Sequence, residues 1–267
     1  MERLHSGLGA VRTALRVSRS RPRLLALPVV NLLVVAGLTV ATFLATGRLE
    51  WALSGGAAAG FGVPLLSTTL TAGLAAFLGV AVAHCVAATL DDDPATLRAG
   101  LRVAWSVRWP ALAWGLLTAA IVPLVDAASA AGLGSAAGPL FVVPWTVATL
   151  FVVPALALDG GSLATALSRN AAVLRRRPVE SLAAFAGALG VVAPLAVVGI
   201  PAATVTPAAG ALGEHALKGA GLVLVAAATV LLQVLMVAAG VALYRETERR
   251  NPDPSATAPT GAGVVDS

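Results

Sequence analysis

From Leu24 to Ala45 the chain runs for 22 residues without a charged side chain, and Asn31 is the one amide among them. A helix rises 1.5 Å per residue, so about 20 apolar residues cross the roughly 30 Å of bilayer hydrocarbon. The run therefore predicts a first membrane span over 24–45. It is longer than the roughly 7–15-residue apolar core of a signal peptide, so the reading is a retained span. Asn31 inside it predicts an inter-helix hydrogen bond, the common role of an amide within a membrane bundle. Five further runs follow, over about 66–90, 109–125, 139–158, 182–206 and 219–244. Pro123, Pro144, Pro154, Pro194 and Pro201 fall inside them. Each removes a helix hydrogen bond, which is tolerated where neighbours satisfy the released carbonyl. Ala72, Ala76, Gly79 and Ala83, and the pairs Ala183/Gly187 and Ala186/Gly190, place small residues three or four apart, where helices pack closely. The glycine-rich SGGAAAGFG, the small-residue stretch AASAAGLGSAAG, and a short segment with Glu214, His215 and Lys218 read as loops.

Between the apolar runs, one polar pattern recurs three times. LHSGLGAVRTALRVSRSRP ends at Pro22, DDDPATLRAGLRVAWSVRWP at Pro110 and DGGSLATALSRNAAVLRRRP at Pro178. In the first copy Leu4, Leu8, Val11 and Leu15 share a face, with Arg12, Arg16 and Arg19 on the flank; in the third Leu163, Leu167, Ala171 and Leu174 do, opposite Arg169 and Arg176. Such segments predict amphipathic helices lying at a membrane interface. Asp91-Asp92-Asp93 before Pro94 predicts a helix cap with proline at the first helical position, and Asp159-Gly160-Gly161-Ser162 a second cap. The predicted fold is all-α: a six-helix transmembrane bundle built as three units, each a cytoplasmic amphipathic helix plus a transmembrane hairpin. Residues 1–250 form one multi-pass domain, and 251–267 a disordered cytoplasmic tail.

Composition agrees: 58% of residues are hydrophobic and 12% charged, against about 25% charged in soluble domains. The net charge of +5 does not point to nucleic acid, because the arginines flank apolar runs and are not interleaved with stacking aromatics. Anionic phospholipid headgroups of the bilayer are the expected partner, with a second copy or another membrane protein as further candidates. Alternate segments between the runs hold 16 and 2 of the 18 basic residues. By the positive-inside rule this places both termini and all three amphipathic helices on the cytoplasmic side of the cell membrane. Trp105, Trp109 and Trp114 mark an aromatic belt at re-entry into the membrane. The single cysteine, Cys85, excludes an internal disulfide.

Candidate chemistry is sparse. H-E-x-x-H, G-x-S-x-G, a phosphate-binding loop and paired Cys-x-x-Cys are all missing, so no catalytic residue, cofactor or metal ligand is assigned. Consecutive carboxylates at 91–93 do not share a face, and charge at a helix end explains them better than a metal does. His84, six residues before the end of the second run, is an intramembrane ionisable group, with a structural hydrogen bond as the plainer reading. Gln233 is the second candidate polar site, one turn from Thr229. Headgroup contact is assigned to Arg12, Arg16, Arg98, Arg102, Arg169, Arg175, Arg176 and Arg177. The leading reading is a non-enzymatic membrane protein that binds anionic lipid or a membrane partner. The alternative is a small transporter or lipid-translocating permease whose path follows the proline breaks. A polar mid-bilayer cavity lined by His84 or Gln233 favours the second.

Four stretches carry a resemblance: NLLVVAGLTVATF, LRAGLRVAWSVRWPALAWGLL, WTVATLFVVPALALDGGSLATALSRNAAVLRRRP and VALYRE. They resemble an uncharacterised family of prokaryotic integral membrane proteins, with Phe151–Pro154 and the basic cluster after it the most specific part. The repeated layout is more distantly similar to the membrane domain attached to some glycerophosphodiester phosphodiesterases. The phosphodiesterase domain itself is missing, so the resemblance implies topology and no activity.

Overall fold

The computed structural model describes residues 2–20, 26–34, 36–37, 59–93, 96–204 and 212–250. Its elements are helices throughout: α1 (Glu2–Ser20), α2 (26–34), α3 (Ala59–Leu90), α4 (Leu97–Ser106), α5 (Arg108–Ala119), α6 (Ile121–Ala128), α7 (Ala137–Ala148), α8 (Val152–Leu158), α9 (Leu163–Arg176), α10 (Pro178–Thr204) and α11 (Leu212–Arg250). Among the described residues, four stretches are long and apolar enough to cross a membrane: Thr69–Leu90, Leu140–Leu158, Pro178–Ala202 and Gly219–Arg250. They coincide with the second, fourth, fifth and sixth apolar runs. The third run divides into α5 and α6 at Ala120. Pro123 in the first turn of α6 lacks the N–H that a continuous helix would direct at the Ala119 carbonyl. Much of the run 24–45, and the expected disordered tail 251–267, lie outside the described residues.

Several connections differ from expectation. Residues 214–218, expected in a loop, belong to the opening turns of α11, and 59–62 belong to α3. The Ala/Gly-rich connection after Asp126 stays helical to Leu133, ending in a π turn and a 3₁₀ turn. Gly132 and Gly134 reverse the chain there at φ 105° and 52°, conformations that side chains rarely adopt. The acidic triplet also plays a different part. Asp92 takes the left-handed conformation, Asp93 N–H donates to Ala88 C=O at 2.9 Å and Asp92 N–H to Thr89 C=O at 3.4 Å. That is the Schellman closure of α3, so the aspartates end one helix and do not start the next. Thr96 caps α4 instead, its hydroxyl accepting from Ala99 N–H at 3.2 Å. Ser162 caps α9 in the same way, accepting from Thr165 N–H at 3.2 Å.

Small residues set the helix spacing, as they do where apolar helices meet without water to drive them together. A Cβ on Gly115 of α5 would run into the backbone of Gly73 in α3, and one on Gly199 of α10 would lie 2.9 Å from Leu224 Cβ of α11. The core between the helices holds Val80, Ala81, Phe151, Leu156, Leu235 and Leu243, all fully buried. The amphipathic helices join this packing. On α1, Ala10, Val11, Ala14 and Val17 are buried, and a Cβ on Gly7 would stand 2.5 Å from the Glu180 carbonyl of α10. On α4, Gly100 lies against Ala81 of α3, where a Cβ would meet the carbonyl at 2.7 Å.

Candidate functional site

One end of the molecule is held by the last turns of α11. The Tyr244 hydroxyl donates to Asp159, at the junction of α8 and α9, and Arg169 approaches the same carboxylate at 3.8 Å. Arg245 pairs with Asp91, beyond the end of α3, at 2.9 Å, with Arg249 at 3.9 Å. Glu246 receives Arg177, between α9 and α10, at 3.1 Å and the Ser6 hydroxyl of α1 at 3.3 Å. Three consecutive side chains thus tie α11 to the end of α3, to both ends of α9 and to α1. The ends of α3 and α8, the start of α10 and the end of α11 meet there.

The arginines that α1, α4 and α9 carry mostly face outward. Arg12, Arg16, Arg98, Arg102, Arg169, Arg175 and Arg176 are all exposed. Arg177 departs from that set: it is buried, and its guanidinium is spent on Glu246. The helix turn explains the difference, since Ala166, Asn170 and Val173 form the inward face of α9 and Arg177 continues it. Trp105 and Trp109 are exposed and flank the Arg108 guanidinium at 5.3 and 5.6 Å. Trp114 turns inward and stacks on Trp145 at 5.6 Å.

Asn170, which sequence reasoning passed over, repairs the break between α7 and α8. Pro154 has no N–H for the Leu150 carbonyl, and the helix opens over Thr149–Phe151. Asn170 Oδ1 accepts from Phe151 N–H at 3.0 Å and its Nδ2 donates to Ala148 C=O at 2.7 Å. The signal was present in the sequence: an amide three residues from Val173 and four from Ala166, on the face that an amphipathic helix buries.

Deeper in the bundle lies a cavity of about 580 Å³ between α2, α3, α5, α7, α8, α10 and α11. Among the described residues its walls are mainly Ala, Val, Leu, Met, Phe and Trp, and its polar lining is Asn31, Thr118, Thr146, Thr229 and Gln233. Asn31 Nδ2 donates to Gln233 Oε1 at 3.4 Å, the inter-helix bond that the sequence predicts. Gln233 stands 11 residues before Tyr244, about 16 Å along α11 from the ionic end. His84 is half-buried on α3 and does not line the cavity. Among the described residues no cluster of three or more His, Cys, Asp or Glu could hold a metal ion.

A family model described as a family of unknown function, DUF6159, matches residues 74–247. No curated protein and no solved structure matches the chain.

Proposed function

The chain belongs to DUF6159, a family of unknown function, and on that premise we propose a non-enzymatic multi-pass membrane protein whose arginine-bearing helices α1, α4 and α9 bind anionic lipid headgroups on the cytoplasmic face. The observation that supports this most is the exposure of seven arginines on those three helices. In this reading the unit of amphipathic helix plus hairpin is used three times, α5–α6 completes a span with its break at Ala120, and six spans put both termini in the cytoplasm. Trp105, Trp109 and Arg108 then sit at headgroup level, where amphipathic rings and snorkelling cations are favoured. Exposed apolar residues of α10 such as Val197, Val198 and Ile200 face acyl chains, a second copy or a membrane partner. Each basic residue near an anionic surface contributes about 1 kcal/mol.

Reconstitution in nanodiscs with a fluorescent anionic lipid tests the reading. Lipid should be enriched around the protein at low salt, and Arg175→Gln with Arg176→Gln, at about 2 kcal/mol together, should lower the enrichment about thirtyfold. Equal enrichment of a neutral lipid, or no response to salt, defeats the proposal.

The transport reading is favoured by one feature, the cavity at mid-length of α11 that contains Gln233. Broken helices beside such cavities carry substrate sites in transporters, and the α7–α8 break ends two residues before Val153 on the cavity wall. A solute or lipid flux into liposomes that disappears in Gln233→Leu would select this reading.

A further inference from the structure

The cavity walls leave hydrogen-bonding capacity unused. Asn31 is buried, and while its Nδ2 serves Gln233, its Oδ1 has no partner among the described residues. Thr118 Oγ1, on α5 across the same cavity, is equally without a partner. Other wall hydroxyls are satisfied: Thr146 donates to Val142 C=O at 2.7 Å and Thr229 to Val225 C=O at 2.9 Å. A buried oxygen without a donor is unfavourable, and such atoms are expected to be met by a ligand or water.

The wall chemistry restricts what can meet them. Among the described residues no Asp, Glu, Lys, Arg or His lines the cavity, so an ionised headgroup would lose its hydration without gaining a counter-charge from them. The volume of about 580 Å³ lies within the range of small-molecule sites. Val142 and Leu189 belong to the lining and are also exposed, so the cavity reaches an apolar outer surface between α7 and α10. We propose that this cavity binds an uncharged lipid-like molecule with a long apolar body and a hydroxyl head, the class of long-chain alcohols and diglycerides. The hydroxyl donates to Asn31 Oδ1, and its combined donor and acceptor character also suits Thr118 Oγ1. The apolar body lies along Val153, Leu232 and Met236. This site is separate from headgroup contact at the arginines, and either can fail alone.

The test uses the full chain in neutral phosphatidylcholine vesicles and a long-chain alcohol bearing a photoreactive diazirine. Labelling should saturate, map to α7 or α11, and be displaced by the unlabelled alcohol but not by its methyl ether or by an alkyl phosphate of equal length. Thr118→Val, which preserves shape, should weaken apparent affinity about tenfold, or about 1.4 kcal/mol. Asn31→Leu should weaken it by as much, and Thr229→Val should leave it unchanged because that hydroxyl is already bonded. If Asn31→Leu fails to fold, Thr118→Val alone decides. Non-saturable labelling, equal displacement by the ether, or undiminished labelling of Thr118→Val overturns the hydroxyl-lipid site; equal displacement by the phosphate overturns its uncharged class.

Discussion

Asn170 shows how much one amide contributes where a helix breaks. Its two bonds satisfy a buried N–H and a carbonyl that the opening over Thr149–Phe151 leaves outside the regular ladder. Orphaning a buried backbone group costs about 1–3 kcal/mol. Asn170→Leu should therefore lower stability by at least that much, as a fall in the melting temperature of detergent-solubilised protein. Asn170→Asp, which retains the acceptor for Phe151 N–H, should fall between the two. His84 gives the opposite expectation. It stands outside the cavity and half-buried, so His84→Gln or His84→Asn should retain expression and melting temperature. Loss of folded protein in both variants would show a structural role that the geometry does not reveal. The sequence marked Asn31 and Gln233 as polar positions in apolar runs, but their meeting across 202 residues required the fold.

The arginines of α9 divide by direction, and the division is testable within one helix end. Arg177 is buried against Glu246, whereas Arg175 two residues earlier is exposed. Removing one partner of a fully buried pair costs about 3–5 kcal/mol. Glu246 is about a third exposed, so Arg177→Gln should cost about 2 kcal/mol. Arg175→Gln should stay within about 0.5 kcal/mol. Thermal unfolding of the two single variants in the same detergent compares them directly, and equal losses would contradict the geometry. A close crossing gives a second prediction at this scale. Gly100→Leu should separate α4 from α3, because the carbonyl of Ala81 cannot yield as a side chain would. Increased accessibility of the buried Cys85 thiol to a maleimide in the folded variant would report it. Periodicity indicated that RRRP ends an amphipathic helix. Arg177 falls four residues after Val173 on the buried face, so its direction follows from the helix turn, but the Glu246 that receives it, on another helix, required the fold.

At the scale of the molecule, apolar runs of about 20 residues were the clearest part of the sequence, and four of them emerge as helices long enough to span. The third run was legible as apolar and as interrupted by Pro123, but the break falls at Ala120, one turn upstream, beside the Ala119 carbonyl that the missing N–H would have met. The acidic triplet misled for a related reason: charge beside proline suggests a helix start, while the left-handed Asp92 closes the preceding helix. The proposed orientation rests on the basic residues and can be tested with single cysteines in a Cys85→Ala background. Cysteines at Ser54, Ser135 and Gly213 should react with an impermeant reagent from outside cells, and one at Ser255 should not; the reverse pattern inverts the topology.

The ties that Tyr244, Arg245 and Glu246 make also have a consequence in time. Synthesis runs from the N-terminus, so α4 can settle on α3 through Gly100, and α9 on the α7–α8 break through Asn170, before α11 exists. Asp91, Asp159, Arg177 and Ser6 of α1 await partners that come last. A ribosome stalled with α11 still inside it should therefore leave α1 more open to protease than in the released chain, while α4 and α9 already resist.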